Sequence, residues 1–267
     1  MTTTSPIWDP QQYLNHADHR TRPFHDLLAR IPDIRSDGPA RIADLGCGAG
    51  NVTAVLAGRW PEARITGYDN SPQMLETARK YATPTLDFAL ADAATWAPSE
   101  TYDLIVSNAL LQWVPGHADL FPAHLDALAP GGTLAFQVPG NFTAPSHTIL
   151  AELRESPRWR SRLHGVGDRT AAVLEPAEYF TLLADLGCEP DVWETTYVQL
   201  LTGEDPVLDW VKGTALRPVL TALADDPEAT AAFVAEYGAA LRAAYPATAR
   251  GTVFPFRRIF AVARKEA

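Results

Sequence analysis

The chain has 267 residues, of which 46% are hydrophobic and 20% are charged, and its formal net charge is -10 at pH 7. This length suits one domain with elaborations, and the composition is that of an ordinary globular protein. The acidic balance disfavours non-specific binding to nucleic acid or to an anionic membrane surface, and it favours a small-molecule ligand. Its two cysteines form no CxxC pair and no metal-type cluster with the histidines, so we predict no metal site.

The N-terminal sequence has no basic region followed by an apolar run, and no apolar stretch is long enough to cross a membrane. We therefore expect a cytoplasmic protein without a signal peptide. Its expected partner is a small-molecule substrate, with no nucleic acid and no membrane. The oligomeric state stays open.

Strand and helix patterns alternate through the first half of the chain. A polar lead-in over residues 1–40 contains a helical segment from about Arg22 to Arg30. Helical patterns at 52–59 and after Ser71, with Ser71 as N-cap and Pro72 at the first helical position, separate apolar runs. The apolar runs predicted as strands are 42–45, 63–69, 86–90, 102–107 and 133–138. Such alternation predicts an α/β fold with a doubly wound, mostly parallel sheet, seven-stranded when two later strands are added.

The second half is less regular. Residues 141–175 show little periodicity, whereas Pro176 to Leu186 reads as a helix, 192–201 and 258–262 as strands, and 206–223 and 228–244 as helical stretches. We predict the following division of the chain. An N-terminal cap and α/β core span 1–140, a lid or insertion 141–175, a core helix and strand 176–202, a helical substrate-binding insertion 203–250, and a final core strand 251–267.

The first predicted strand runs into a glycine-rich loop, Asp44-Leu-Gly46-Cys47-Gly48-Ala-Gly50-Asn51. Glycines at alternate positions let the backbone come close to a ligand. The pattern resembles the cofactor loop of S-adenosylmethionine (SAM)-dependent methyltransferases, D/E-x-G-x-G-x-G. A dinucleotide fits less well, because the third glycine of its fingerprint would fall at Asn51 and the Asp44 carboxylate would repel a diphosphate. A ligand that carries an ammonium and a sulfonium suits this carboxylate, so we predict SAM as the cofactor.

Acidic and polar residues follow the other predicted strands, whose carboxyl ends form the ligand crevice of an open parallel sheet. Asp69 ends the second strand, where its carboxylate is expected to accept hydrogen bonds from both ribose hydroxyls. Asp92 follows the third strand, where an acid of SAM-dependent methyltransferases typically accepts from the adenine amino group. The residues predicted to bind the cofactor are Asp44, Gly46, Cys47, Gly48, Gly50, Asp69, Asn70, Asp92, Ala93, Asn108, Trp113 and Tyr13.

Four segments, together with the glycine loop, resemble trans-aconitate methyltransferases, and the resemblance runs along nearly the whole chain. They are Trp8 to Leu14, Asn108 to Trp113, Trp210 to Pro218 and Phe254 to Phe260. The last two are the most specific, because a generic methyltransferase has no reason to carry them. The resemblance implies a Rossmann-like fold and transfer of a methyl group from SAM to one carboxylate of trans-aconitate. The products would be a monomethyl ester and S-adenosylhomocysteine.

The implied reaction needs no general base, because a carboxylate with a pKa near 4 is already the nucleophile at neutral pH. We therefore predict no catalytic residue, only positioning in a dry pocket. Arginine suits the remaining carboxylates because its planar fork meets carboxylate oxygens in pairs. Side chains alternate along a strand, so only one of Arg257 and Arg258 is expected to face the site. The predicted substrate-binding residues are Arg217, Arg257, Arg258, Gln112, Asn141 and His16.

Four alternatives stay open. A methyltransferase acting on another small carboxylic acid or biosynthetic intermediate would share every feature above. A phenolic substrate would need a general base, for which only the histidines qualify. A NAD-dependent dehydrogenase is disfavoured by Asp44 and Asn51. A non-catalytic SAM-binding regulator would not require a pocket lined by arginines.

Overall fold

The computed structural model describes residues 17–34, 37–168 and 173–266. They fall into two compact units. The first, here called the α/β unit, comprises residues 17–34, 37–139, 173–195 and 258–266 of the described chain. The second, here called the helical unit, comprises residues 140–168 and 196–257.

An open, mostly parallel sheet forms the core of the fold, as predicted. Its strands are β1 Arg41–Leu45, β2 Arg64–Asp69, β3 Leu86–Leu90, β4 Tyr102–Asn108, β5 Leu128–Pro139, β6 Cys188–Leu201, β7 Ala247–Thr248 and β8 Gly251–Lys265. Their spatial order is β3-β2-β1-β4-β5-β8-β6, and the two-residue β7 pairs with the beginning of β8. Strands β1 to β5 pair in parallel, whereas β8 runs antiparallel to β5. The carboxyl ends of β1 to β5 therefore share one edge with the portion of β8 that begins at Arg258.

Helices cover both faces of this sheet or build the helical unit. In chain order they are α1 Ala17–Arg30, α2 Thr53–Arg59, α3 Pro72–Ala78, α4 Phe121–Asp126, α5 Pro145–Glu155, α6 Arg160–Leu163, α7 Pro176–Asp185, α8 Pro206–Lys212, α9 Arg217–Ala222 and α10 Pro227–Ala244. The predicted start of α3 is confirmed, since the Ser71 hydroxyl accepts a hydrogen bond from the Met74 amide at 3.3 Å. None of the helices within the described ranges is both long enough and apolar enough to cross a membrane.

One face of the sheet in the α/β unit is mostly apolar. Side chains of β1, β4, β5 and β8 pack there against α4 and α7, and the largest of them are Phe121, Phe136 and Tyr179, all fully buried. Burying apolar surface stabilises a fold by roughly 25 cal/mol per Å². This face therefore holds the strands in register and leaves the opposite face available for polar groups at the carboxyl edge.

The helical unit buries an apolar core of its own, where Trp210 of α8, Phe233 of α10 and Phe254 of β8 are fully buried. Helices α5 and α6 occupy part of the segment for which the sequence showed little periodicity. The helical pattern over 206–223 is two helices, α8 and α9, separated by residues 213–216. A proline in the first turn of α9 fixes that restart, because its ring cannot continue a preceding helix.

Candidate active site

Polar side chains occupy one face of the sheet at its carboxyl edge, within the α/β unit. Asn108 of β4 pairs with Gln137 of β5, and Pro139, two residues further on, pairs with Arg258 of β8. The register between β1 and β4 puts Asp44 on the same face. Residues that lie opposite each other share a face, as do residues two apart along a strand. This face therefore presents Asp44, Asn108, Gln137 and Arg258 in a row.

Asp44 is a buried carboxyl group near the end of β1, with 1% of its surface exposed. It accepts a hydrogen bond from the Thr53 hydroxyl at the start of α2, at 2.7 Å. Burial raises the pKa of Asp44 to about 7, the Thr53 hydrogen bond opposes that rise, and the neighbouring Asp69 adds to it. A cation placed beside Asp44 would favour its ionised form.

Asp69 ends β2 and braces the glycine-rich loop. One of its oxygens accepts from the Gly48 amide and the other from the Ser71 amide, each at 2.9 Å. Burial raises the pKa of this carboxyl group, and the backbone hydrogen bonds counteract the rise. A carboxylate offers about four acceptor sites, so Asp69 retains capacity for hydroxyl groups of a ligand.

The glycine-rich loop follows β1 in a conformation that its glycines make possible. Gly46, Gly48 and Gly50 have φ values of +77°, +54° and +79°, which side chains rarely tolerate. A Cβ at Gly50 would lie 2.8 Å from a side chain of α3, so this glycine packs against protein. At Gly48 no atom of the described residues, its chain neighbours apart, lies within 4 Å of such a Cβ, so these residues leave room for a ligand beside the backbone. Cys47 is buried, and burial raises the pKa of its thiol well above the ordinary range.

Asp92 is exposed just after β3, and its carboxylate accepts from the Ala94 amide at 2.9 Å. It lines a cleft of about 460 Å³ together with aromatic side chains that include Tyr68, Trp96 and Tyr102. The two tyrosine hydroxyls are 2.8 Å apart and hydrogen-bonded to each other. Tyr68 pairs with Leu45 and, like Trp96 and Tyr102, packs with the apolar cluster, so the aromatic side of this cleft lies on the sheet face opposite Asp44.

The turn after β4 is strained and held from two sides. Ala109 has a φ of +58°, which is uncommon for a residue with a side chain. Its amide donates to the Gln137 carbonyl at 2.8 Å, and its carbonyl accepts from the Gln112 side chain at 2.6 Å. The next residue, Leu110, packs closely on the glycine-rich loop, because a Cβ at Gly46 would lie 2.7 Å from the Leu110 Cβ. These contacts hold the loop after β4 against the loop after β1.

The two consecutive arginines of β8 have different surroundings. Arg258 is 6% exposed, and its Nη1 donates to the Gln137 side-chain oxygen at 3.1 Å within the α/β unit. In the helical unit, the Arg257 amide donates to the Asn141 side-chain oxygen at 2.6 Å. The Arg257 guanidinium reaches the Gly140 carbonyl at 3.5 Å. Alternation along β8 therefore puts Arg258, and not Arg257, on the sheet face of Asp44.

Arg217 opens α9 in the helical unit and is half-buried. Its amide donates to the Thr214 carbonyl at 3.1 Å, in the connection that separates α9 from α8. Asn141, the other predicted ligand of this unit besides Arg257, is 3% exposed.

Two histidines of the α/β unit are buried among its apolar side chains. Nε2 of His117 lies 2.7 Å from the Tyr179 hydroxyl, to which it is hydrogen-bonded. Burial lowers the pKa of His117, and it lowers the pKa of His124 to about 4. Both rings are therefore neutral at physiological pH and packed in the core, which does not support a base for a phenolic substrate.

The predicted site residues are divided between the units. The α/β unit contains Asp44, Gly46, Cys47, Gly48, Gly50, Asp69, Asn70, Asp92, Ala93, Asn108, Gln112, Trp113 and Arg258. The helical unit contains Asn141, Arg217 and Arg257. Tyr13 and His16 lie outside the described residues. No group of three or more potential metal ligands occurs in the part of the chain that the structure describes.

Two neighbours of the predicted residues, Thr53 and Gln137, were not predicted. A glutamine inside the apolar strand pattern 133–138 was a signal that could have singled out Gln137. Thr53 carries no comparable signal, because its contact with Asp44 depends on how α2 packs beside β1.

Comparison with known proteins defines the class. Residues 42–132 match the family model described as a methyltransferase domain. Among solved structures, the phosphoethanolamine N-methyltransferase 2 of Haemonchus contortus, in complex with phosphomonomethylethanolamine and S-adenosylhomocysteine, has a similar fold. Its TM-score is 0.55 at 17% identity, covering 92% of this chain and 53% of that one. The fold and the glycine-rich loop are those of a Rossmann-like methyltransferase.

Two curated relatives narrow the class to one family. The trans-aconitate 2-methyltransferase of Streptomyces coelicolor is 68% identical over 99% of this chain and 89% of its own length. The protein of the same name from Streptomyces avermitilis is 66% identical over 100% of both chains. The chain belongs to the trans-aconitate 2-methyltransferase family and is a SAM-dependent methyltransferase. The predictions of family, fold and cofactor are confirmed.

Proposed function

We propose that the protein esterifies one carboxylate of trans-aconitate with the methyl group of SAM. The observation that carries this proposal is the division of the sheet edge in the α/β unit. Carboxylates stand at the ends of β1, β2 and β3, whereas amides and a guanidinium stand on β4, β5 and β8. One half suits a cation and the other an anion. The curated relatives are named for trans-aconitate, which is such an anion.

The acidic half is proposed to hold the cofactor. SAM, when bound, supplies a methyl group attached to a positively charged sulfur. Asp69 accepts from the ribose hydroxyls while its backbone contacts keep it in place. Asp44 supplies the negative potential for the ammonium and sulfonium groups, and Asp92 accepts from the adenine amino group. The remaining proposed cofactor ligands of this half are Gly46, Cys47, Gly48, Gly50, Asn70, Ala93 and Tyr13. Asn108 and Trp113 are also proposed cofactor ligands, and they lie on and after β4, the strand next to β1 where the two halves meet.

The other half is proposed to hold the substrate, and Arg258 is its principal ligand. Its guanidinium is buried on the sheet face of Asp44, where a charge-assisted hydrogen bond is stronger than at the surface. Gln112 is a further proposed substrate ligand of the α/β unit, and Arg217, Asn141 and His16 remain proposed ligands on the sequence alone. Arg257 is not retained, because alternation along β8 turns it away from the face of Asp44.

The chain contributes positioning to the reaction and no proton transfer. The reacting carboxylate is already ionised at neutral pH, so it attacks without a base. Its negative charge and the positive charge on sulfur neutralise each other as the methyl group moves. Strong polar contacts to the reacting carboxylate would therefore stabilise the ground state more than the transition state. Arginines that bind the other carboxylates, in a site that excludes water, avoid this penalty.

An assay of the purified protein with labelled SAM tests the proposal. The acceptors are trans-aconitate, its cis isomer, citrate, a monocarboxylic acid and a phenol. We expect a monomethyl ester of trans-aconitate, with the position of the ester identified by mass spectrometry and NMR. If kcat/KM for another acid is at least about tenfold higher than for trans-aconitate, that acid is the substrate instead. Preference for the phenol, with a titration in kcat near pH 6.5, would implicate a histidine and overturn the carboxylate chemistry.

A further inference from the structure

We infer that Gln137 is a substrate-binding residue and forms, together with Arg258, one binding site for a non-reacting carboxylate. Gln137 is not among the site residues predicted from the sequence. The inference rests on the proposed function, because it names a further ligand in the same site. Three observations within the α/β unit support it. They are the orientation of the Gln137 amide, the burial of its NH2 group without an acceptor in the described chain, and its position between Asn108 and Arg258 on the polar face of the sheet.

The contact with Arg258 determines how the Gln137 amide is oriented. A guanidinium only donates hydrogen bonds, so the group of Gln137 that lies 3.1 Å from Arg258 Nη1 must be its oxygen. The NH2 group of Gln137 therefore points away from Arg258. The Arg258 guanidinium has no acceptor atom. The orientation of the Gln137 amide therefore follows from chemistry and does not depend on telling its nitrogen and oxygen apart.

The NH2 group of Gln137 is a buried donor without an acceptor among the described residues. Gln137 is 0% exposed, and its Nε2 has no hydrogen-bond partner among the described residues. Asn108, directly opposite on β4, has a buried Oδ1 that also lacks a partner within the described ranges. Buried polar groups of folded proteins are almost always paired, so unpaired ones in a row at a sheet edge point to a ligand.

A carboxylate fits the Gln137–Arg258 pair in geometry and in charge. One of its oxygens accepts from the guanidinium of Arg258 and the other from Nε2 of Gln137. Gln137 contacts Arg258 through a neutral oxygen, so this contact adds no negative charge beside the guanidinium. A glutamate at this position would orient Arg258 equally well but would place a negative charge in the site and repel a carboxylate.

A purely structural explanation competes with this one. A buried water between Gln137 Nε2 and Asn108 Oδ1 would satisfy both atoms without any role in substrate binding. The two explanations differ in what a change at Gln137 does to KM.

The variants Gln137→Glu and Gln137→Met separate the explanations. Steady-state kinetics measures kcat and KM for trans-aconitate, calorimetry measures the Kd of SAM, and thermal unfolding checks the fold. We expect Gln137→Glu to raise KM about 100-fold, because it neutralises Arg258 and repels the substrate. Gln137→Met removes only the amide and should raise KM about tenfold. The Kd of SAM should change less than about threefold in both variants, because their substitutions lie outside the acidic half.

Gln73→Glu is the matched control, since it adds the same charge at an exposed position of α3 and should change none of these constants. KM values within about twofold of the wild type for both Gln137 variants would overturn the inference. The inference is also overturned if SAM affinity falls as much as KM rises, because that would indicate a structural role for Gln137. In either case the proposed function stands as long as the wild type methylates trans-aconitate. If the assay panel identifies a different polycarboxylate, the same KM ratios apply to that acid, and a neutral acceptor would overturn the inference.

Discussion

The half of the sheet edge formed by β1, β2 and β3 and the half formed by β4, β5 and β8 carry opposite chemistry. Asp44, Asp69 and Asp92 belong to the first half, whereas Gln137 and Arg258 belong to the second. Both halves lie on one sheet in the α/β unit, so a cationic methyl donor and an anionic acceptor can be bound side by side. Under the proposed function, this separation of charge along a single edge brings the two reactants together without a catalytic acid or base.

The two halves are also held together differently. Asp69 is fixed by the Gly48 and Ser71 amides of the loops that directly follow β1 and β2. Its hydrogen-bond partners are therefore close to it in the sequence. Arg258 is fixed by Gln137, a residue 121 positions away in the sequence. If the halves are independent, a change in one should leave the ligand of the other half unaffected. The experiments below test that independence.

The largest effect is expected from Arg258→Met. This change removes the charge-assisted hydrogen bond from Arg258 to one carboxylate oxygen together with the positive charge that attracts the anion. It also leaves the Gln137 oxygen buried without a donor, so KM for trans-aconitate should rise about 1,000-fold. The Kd of SAM, measured by calorimetry, should stay within about twofold. Arg258→Lys is the control that keeps the positive charge, and its KM for trans-aconitate should lie between those of the wild type and Arg258→Met. An equal loss of SAM affinity would show that the halves are not independent.

Asp69→Ala should act on the other half alone. It removes the proposed acceptor of the ribose hydroxyls and the brace of the Gly48 amide, so the Kd of SAM should rise about 100-fold. KM for trans-aconitate, measured at saturating SAM, should change little. Asp87→Ala removes an exposed aspartate of β3 and serves as the matched control. Unchanged SAM affinity in Asp69→Ala would contradict the ribose assignment.

Protonation of Asp44 should make both the stability of the protein and its affinity for SAM depend on pH. The pKa of Asp44 is raised from its ordinary value of 3.8 to about 7 by burial, so the free folded protein holds this proton more tightly than the unfolded chain does. The free protein should therefore lose stability as pH rises from about 4 through 7, by up to roughly 4 kcal/mol. Asp44→Asn removes this loss, while it should weaken SAM binding about 20-fold.

Thermal unfolding of the free wild type and of Asp44→Asn at pH 5 and pH 8 checks the sign. The variant should be the more stable protein at pH 8, and the difference should shrink at pH 5. In the wild type, SAM affinity should fall as pH is lowered below about 7, because protonated Asp44 no longer attracts a cation. A variant that is less stable at pH 8 would mean that the hydrogen bond from Thr53 outweighs the cost of burying the charge.

The smallest effect is expected from Arg217→Ala in the helical unit. Loss of one partly exposed arginine should raise KM for trans-aconitate about tenfold and leave the Kd of SAM unchanged. Arg160→Ala, which removes an exposed arginine of α6, is the control. Loss of both substrate and SAM binding in Arg217→Ala would assign Arg217 a structural role in the restart of α9.

Much of the α/β unit could be predicted because its signals are local. The apolar runs of β1 to β5 are bounded by turn residues, and the start of α3 follows from Ser71 and Pro72. The helical unit was predicted less well. Helix α5 begins at a proline in a stretch rich in breakers, and α8 and α9 looked like one helix. In such short helices, packing against the buried core decides the boundaries, and propensity alone does not.

SAM could be predicted as the methyl donor from the sequence, because the glycine-rich loop and the acid after each predicted strand are local patterns. The sequence also pointed to arginines near residues 217 and 258 as candidate ligands of an anion. The fold was needed to show that Arg258, and not Arg257, shares the face of Asp44 and that Gln137 contacts it. The physical reason is register: which side chains meet depends on how strands distant in the chain align, and a shift of one residue would turn every side chain to the opposite face.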